Sequence, residues 1–334
     1  MKLYKLLAAV IASLIATMAP AQDMKERTIK VGIGLNEDHP QGMAVKFFGE
    51  QVAKKSGGKM QVKLFPSGQL GNDVTMISAL QGGTQEMVVP DTGTLVSQVK
   101  EFGVINLPFL FQSGSEADAV LDGAFGQKLL IRLQEKGLIG LGYWENGFRH
   151  VTNSRKAINK VEDFAGLKLR VIQNPLYIET FRALDANAVP MPFPEVFTAL
   201  ETKTVDGQEN PSATILSSKF FEVQKHVVLS RHIYSVWVPL FSKKVWDTYS
   251  PAEQNILTEA AKEAQAFERK VIRAYDSKAL DDLKARGMQI TELPAAEVEK
   301  LRAKTLPVAA KFSNEFGSAA AQELNTELAK LRKK

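Results

Sequence analysis

The sequence predicts an α/β fold in two domains joined by chain crossings and tied by one long helix, and three observations lead there. Residues 28–89 run strand, helix, strand, helix, strand, which builds a parallel α/β unit. The same alternation starts again near residue 167, and residues 251–286 hold an uninterrupted helical pattern. At about 1.5 Å per residue that helix is roughly 54 Å long, more than the width of one small domain, so it must touch both. The chain length of 334 residues suits two domains.

Each element has a local cause. Residues 28–33 alternate as a strand, a polar loop at 36–40 follows, and Met43, Ala44, Phe47, Phe48 and Val52 line one face of a helix stopped by Gly57-Gly58. Met60, Val62 and Leu64 make a second strand. Pro66-Ser67-Gly68 turns the chain, and Asn72 or Asp73 caps a helix ending at Gly82-Gly83. Residues 86–89 form a third strand. In the second half, Leu167, Leu169 and Val171 alternate with Lys168 and Arg170, then come a helix with Tyr177, Ile178, Phe181 and Leu184, a strand at Ala188-Val189, and a helix opened by Pro194. Val205-Asp206-Gly207 starts another strand. Ser250 caps the long helix and Gly287 ends it, the alternative being two helices broken near Asp276-Ser277. Met288-Gln289-Ile290 reads as a late strand, and two helical stretches finish the chain, Pro307 interrupting the first.

Composition removes several classes. No cysteine is present, so disulfides, Cys-ligated metals and thiol nucleophiles are excluded. The four histidines, His39, His150, His226 and His232, lack the spacing of a helical zinc site. Neither a complete dinucleotide fingerprint, a phosphate-binding GxxxxGK[ST] loop nor a GxSxG elbow occurs. A net charge of +5 without basic runs gives no footprint for nucleic acid. Residues 1–21 carry Lys2 and Lys5, an apolar run from Leu6 to Ile15 and Ala19-Pro20-Ala21. That order is a secretory signal peptide cleaved after Ala21, and its removal lowers the charge from +5 to +3. The expected mature protein is soluble and periplasmic.

Six segments in order carry a family resemblance. They are residues 54–59 (KKSGGK), 66–71 (PSGQLG), 146–149 (NGFR), 166–171 (GLKLRV), 192–196 (PFPEV) and 206–211 (DGQENP). In order and spacing over about residues 28–290 the chain resembles the extracytoplasmic solute-binding subunits of TRAP transporters, tripartite ATP-independent periplasmic carriers of organic acids. The resemblance implies a two-domain periplasmic binding protein, or flytrap, spanned by the long helix. Domain I would comprise 24–147 plus 236–275, domain II 148–235 plus 276–334, with the ligand cleft between them. It also implies a monomeric, non-enzymatic protein without cofactor or metal, whose partners are a small carboxylate and the TRAP membrane permease subunits.

By that resemblance Arg170 clamps the ligand carboxylate, Arg149 adds a second charge, Asn210 donates to the same carboxylate, Phe193 packs on the ligand and Asp91 contacts the rest of it. Arg170 has independent support, because it lies near the end of a strand with one apolar face, where open α/β sheets bind ligands. Its planar fork also matches a carboxylate bidentately, which lysine does not. Gln173 and Asn174 follow that strand within reach of the cleft, and His39 sits in the loop after the first strand. Trp237 is either a cleft wall or a core face. In the open form the two arginines would face a wet cleft, and closure would strengthen their grip by excluding water.

This set favours a polyhydroxylated monocarboxylate, a uronate or aldonate, over a C4-dicarboxylate, since Asp91 would repel a second carboxylate. Two rivals from other classes are an ATP-driven importer's binding protein, which would lack the pairing of arginine with Asp-Gly-Gln-Glu-Asn, and a periplasmic sugar-acid enzyme. The enzyme would need a general acid or base such as Asp91 or His39 beside the cleft.

Overall fold

Strand β1 (Arg27–Gly32) leads through α1 (Pro40–Lys55) to β2 (Met60–Phe65), and α2 (Asp73–Gly82) leads to β3 (Met87–Val88). The computed structural model describes residues 24–333, so the leader expected over 1–21 lies outside the described residues. Asn72, not Asp73, caps α2 by accepting from the Thr75 N–H, and Gly83 ends the helix in the left-handed region at φ 79°. Two 3-10 segments, Thr92–Ser97 and Lys100–Asn106, follow, then α3 (Gly114–Leu121), α4 (Ala124–Arg132), β4 (Leu138–Gly140) and β5 (Trp144–Asn153). The second half adds β6 (Lys168–Val171), α5 (Pro175–Arg182), β7 (Asn187–Pro190), α6 (Val196–Glu201), β8 (Gly207–Pro211), α7 (Ser212–Ser217) and β9 (His226–Val228). The chain then returns through β10 (Tyr234–Trp237), β11 (Leu240–Ser242) and α8 (Lys243–Trp246), and ends with α9 (Pro251–Ala285), β12 (Gln289–Thr291) and α10 (Ala295–Leu331).

Two sheets result. The first has the order β2-β1-β3-β11-β4 and the second β12-β9-β5-β8-β6-β7, with β10 paired to β5. The strands predicted as α/β repeats are parallel, β1 with β2 and β3, and β6 with β7 and β8. Both sheets are nonetheless mixed, because crossing strands enter from the other direction. β11 runs antiparallel to β3 and β4, and β5 runs antiparallel to β8, β9 and β10. β5 and β10 form the paired ribbon by which the chain passes between the sheets, with a register shift between Ser235 and Val236.

α9 is one unbroken helix, which removes the alternative break near Asp276. Ser250 and Glu253 form a capping box at its start. Leu257, Ala260, Ala261 and Ala264 are buried in a core with Ile29, Val31 and Phe48, whereas Ala279 and Leu283 are buried with Val196, Leu200 and Ile215. The helix thus joins both halves, as its length requires.

The last helix departs from expectation. Pro307 lies inside α10 without ending it, and the kink falls at Gly317, where φ is 137°. Leu301, with the half-buried Val298, packs in the core of the second sheet with Leu169 and Phe181. Phe312, Phe316, Leu324 and Leu328 pack with Leu95, Phe102 and Leu138 of the first half. Phe316 fits because residue 103 is glycine, where a Cβ would come within 2.3 Å of its ring. Side chains from residues 276–333 thus contribute to cores of both halves.

Candidate functional site: a closed cleft between the two sheets

The carboxyl ends of β1, β2 and β3 and those of β6, β7 and β8 face each other across a cleft. Its floor is the crossing ribbon. From the first half come Gly34 and Leu35 after β1, Gln41 at the start of α1, Asn72 and Asp73 at the start of α2, and Val89, Asp91 and Thr94 after β3. The second half contributes Arg170, Ile172 and Gln173 from the end of β6, Met191 to Phe193 after β7, and Asn210 and Thr214. The cleft is shut: Arg170 is 3 % exposed and Arg149 1 %. Gly68 and Pro194 meet at the closure, where a Cβ on Gly68 would stand 2.8 Å from Pro194 Cγ.

Arg170 has one side committed and one side free. Its Nε and Nη2 both donate to the Met191 carbonyl, at 2.9 and 2.7 Å, and its guanidinium lies 5.9 Å from the Phe193 ring centre. Among the described residues Nη1 has no hydrogen-bond partner. Burial pulls the group down to about 10, with Arg149 pushing the same way and Glu209 opposing. Arg170 stays a cation at neutral pH.

Arg149, in contrast, is already neutralised. Its Nε and Nη2 hold the Glu209 carboxylate, Nη2 also donates to Glu209 O at 2.6 Å and Asn210 Oδ1 at 3.1 Å, and Nη1 donates to Ser235 Oγ at 3.1 Å. Burial alone would depress this guanidinium, yet Glu209 holds it above its ordinary value. Glu209 also meets His232 Nε2 at 3.2 Å, and its carboxyl sits below the usual range because the Arg149 charge and the His232 hydrogen bond outweigh its burial. Ser230, His232 and Glu209 make a hydrogen-bonded chain with the composition of a catalytic triad, but none of the three lines the cleft.

The first-half wall is acidic. Asp91 caps the turn after β3 through the Gly93 N–H at 2.8 Å, accepts from Ser235 Oγ and lies 3.9 Å from Arg149 Nη1. Asp73 accepts from the Asp91 N–H at 3.3 Å. A Cβ on Gly34 would lie 3.9 Å from Asp73 Oδ1 and 3.8 Å from Phe193 Cδ1, so acid and ring flank one small residue. Loss of hydration, reinforced by Asp91, pushes the Asp73 carboxyl up to about 7 against the backbone hydrogen bond and Arg170.

Of the nine residues singled out in the sequence, Arg170, Arg149, Asn210, Asp91, Phe193, Gln173 and Trp237 line the cleft, and His39 and Asn174 do not. Trp237 turns out to do both things at once, being 4 % exposed in the first core while lining the cleft. His39 caps α1, its Nδ1 accepting from the Gln41 N–H at 3.0 Å, and burial drags it down to about 3. Asn174 caps α5 through the Leu176 N–H and donates to Gly93 O of the first half. In each, one polar atom is taken by a helix start, which a sequence does not distinguish from a ligand contact, and the other bonds to the opposite half, His39 Nε2 meeting Thr214 Oγ1 at 3.3 Å. Gln41, Asp73 and Glu209 were not anticipated. The rule that selected Arg170, at the carboxyl end of a parallel strand, also points to Asp73, which opens the helix after the loop that follows β2.

The family model for "bacterial extracellular solute-binding protein, family 7" matches residues 31–315. The solved sugar acid binding protein of Advenella mimigardefordensis, in complex with galactonate, is 47 % identical, with a TM-score of 0.91 over 92 % of this chain and 99 % of that one. A TRAP periplasmic solute-binding protein of Polaromonas bound to D-erythronate is 40 % identical, with a TM-score of 0.86 over 90 % and 98 %. The 2,3-diketo-L-gulonate-binding periplasmic protein of Escherichia coli is 37 % identical over 79 % of this chain and 80 % of its own. With a cleft at the ends of two sheets and a match along most of its length, the chain belongs to the family 7 extracellular solute-binding proteins, the binding subunits of TRAP transporters.

Proposed function

We propose that the protein captures a polyhydroxylated monocarboxylate, an aldonate or uronate, in the periplasm and delivers it to a TRAP permease. The carrying observation is the asymmetry of the cleft. One uncommitted guanidinium donor, Arg170 Nη1, faces it from the second half, while the first half offers Asp73 and Asp91 and no lysine or arginine. A carboxylate on Arg170 satisfies the one wall, and hydroxyl donors satisfy the other. A C4-dicarboxylate would bring its second charge against Asp73 and Asp91, which argues against that reading. The galactonate and D-erythronate complexes of relatives support the same ligand class.

The lobes are taken as 24–147 with 236–275 and 148–235 with 276–334, amended by moving Phe312–Leu328 to the first. A leader over 1–21 accounts for export, and no described helix is long and apolar enough to cross a membrane. We take the working unit as a monomer that binds without turning its ligand over. A thermal-shift screen of aldonates, uronates, dicarboxylates and neutral sugars tests the reading. A ligand at 100 times its Kd adds about 2.7 kcal/mol and several degrees. Aldonates or uronates are expected to shift the transition most; shifts with dicarboxylates or neutral sugars alone would overturn the assignment.

A further inference from the structure

Gln41 lines the cleft, and its side-chain oxygen is fully buried with no hydrogen-bond donor among the described residues. The residue is 1 % exposed, and its Nε2 donates to the Val89 carbonyl at 3.1 Å. That bond fixes which end of the amide is which, because a carbonyl accepts only from the NH2 side. Oε1 is therefore the remaining end, and no group among the described residues donates to it. Buried acceptors without a donor are rare in native proteins and are usually filled by water or a ligand.

The position of Gln41 is held firmly. Its backbone N–H is bound to His39 Nδ1 at the first turn of α1, and His39 is packed edge-on against Trp237 at 5.4 Å. Leu35, Val89 and Trp237 line the same cleft, so apolar side chains share this wall with Gln41. A neutral O–H on a carbon chain suits that mixture better than an ammonium group, which Asp73 and Asp91 would draw toward themselves.

Resting on the sugar-acid reading above, we propose that Gln41 is a specificity-determining residue whose side-chain carbonyl accepts a hydrogen bond from one hydroxyl of the bound acid. It separates hydroxylated acids from carboxylates of similar length that lack that hydroxyl. A site built to pair a substrate hydroxyl rejects the analogue without it, because its own polar group is then left buried and unpaired.

The test is calorimetric titration of wild type, Gln41→Met and Gln41→Leu with D-galactonate and its monodeoxy analogues. Wild type is expected to bind galactonate and to lose about tenfold on removal of one particular hydroxyl. Both variants should bind galactonate about tenfold more weakly, and should bind that one deoxy analogue as wild type does. Two apolar variants are used so that failure of one to fold leaves the other to decide. Equal galactonate affinity in wild type and variants would overturn the proposal, as would an equal loss for every analogue, which marks a merely structural role through Val89. Wild type that binds none of galactonate, D-galacturonate and D-erythronate would instead overturn the sugar-acid reading on which it rests.

Discussion

Replacing Asp73 by asparagine should make the protein more stable, and more so the higher the pH. The carboxyl ionises near 3.8 when fully hydrated and near 7 in the folded cleft. Because the folded value is the higher, the folded state holds the proton longer than the unfolded chain does. Stability therefore falls as pH rises from about 4 to about 7 and is flat on either side. A gap of about three pH units corresponds to about 4 kcal/mol, and partial contact with solvent reduces this to about 2–4 kcal/mol. Asparagine fills the same volume, still accepts from the Asp91 N–H and cannot ionise. Urea denaturation at pH 4, 6 and 8 without ligand is the assay. D73N and wild type should coincide at pH 4, and the variant should be more stable by that margin at pH 8. A difference between the two that does not change with pH would show that Asp73 is ordinarily hydrated and would refute the argument.

Other expectations follow from individual contacts. Arg170→Ala should weaken acid binding by two to four decades, about 3–5 kcal/mol, and Arg170→Lys should also weaken it because the charge survives and the fork does not; titration with galactonate checks both. Glu209→Gln leaves the buried Arg149 guanidinium with only the more distant Asp91 as counter-charge and should cost about 3–5 kcal/mol in unfolding free energy, with an unchanged denaturant midpoint counting against the pairing. His39→Ala removes the cap of α1 and should cost about 0.5–2 kcal/mol at every pH from 5 to 8, since the ring is already neutral there. Gly68→Ala adds a Cβ at a φ of 71° and against Pro194; small-angle scattering should find the ligand-bound variant more open than wild type, and equal radii would exclude a closing contact.

Most of the frame was legible because its causes are local. The ends of α2 and α9 follow from Asn72, Gly83, Ser250 and Gly287, and Arg170 follows from the end of one strand. What was not legible depends on partners remote in the chain. Nothing near Arg149 announces that Glu209, 60 residues away, neutralises it, and only the pairing of β5 with β8 brings the two together. Pro307 was expected to interrupt the first of two closing helices and does not, whereas Gly317 breaks the helix beside Phe316, which packs on Gly103. His39 and Asn174 have the composition of ligand contacts, but each carries a hydrogen bond that its own helix start requires.

The two arginines, similar in the sequence, are set to different tasks by their counter-charges. Arg149 takes up Glu209, Asn210 and Ser235 at once, so it fixes the floor formed by β5, β8 and β10 and has little donor capacity to spare. Asn210, by holding Arg149 through Oδ1 and Gln208 through one N–H, keeps one amide hydrogen for the cleft. Arg170 has no carboxylate within salt-bridge distance among the described residues, and only a carbonyl on its inner side. A cation buried in that state costs free energy until an anion arrives. On the proposed reading an incoming carboxylate would supply what the fold withholds from Arg170, and the benefit would be largest when Gly68 and Pro194 are in contact and water is excluded. Ligand affinity and closure are in this way two readings of a single unpaired charge.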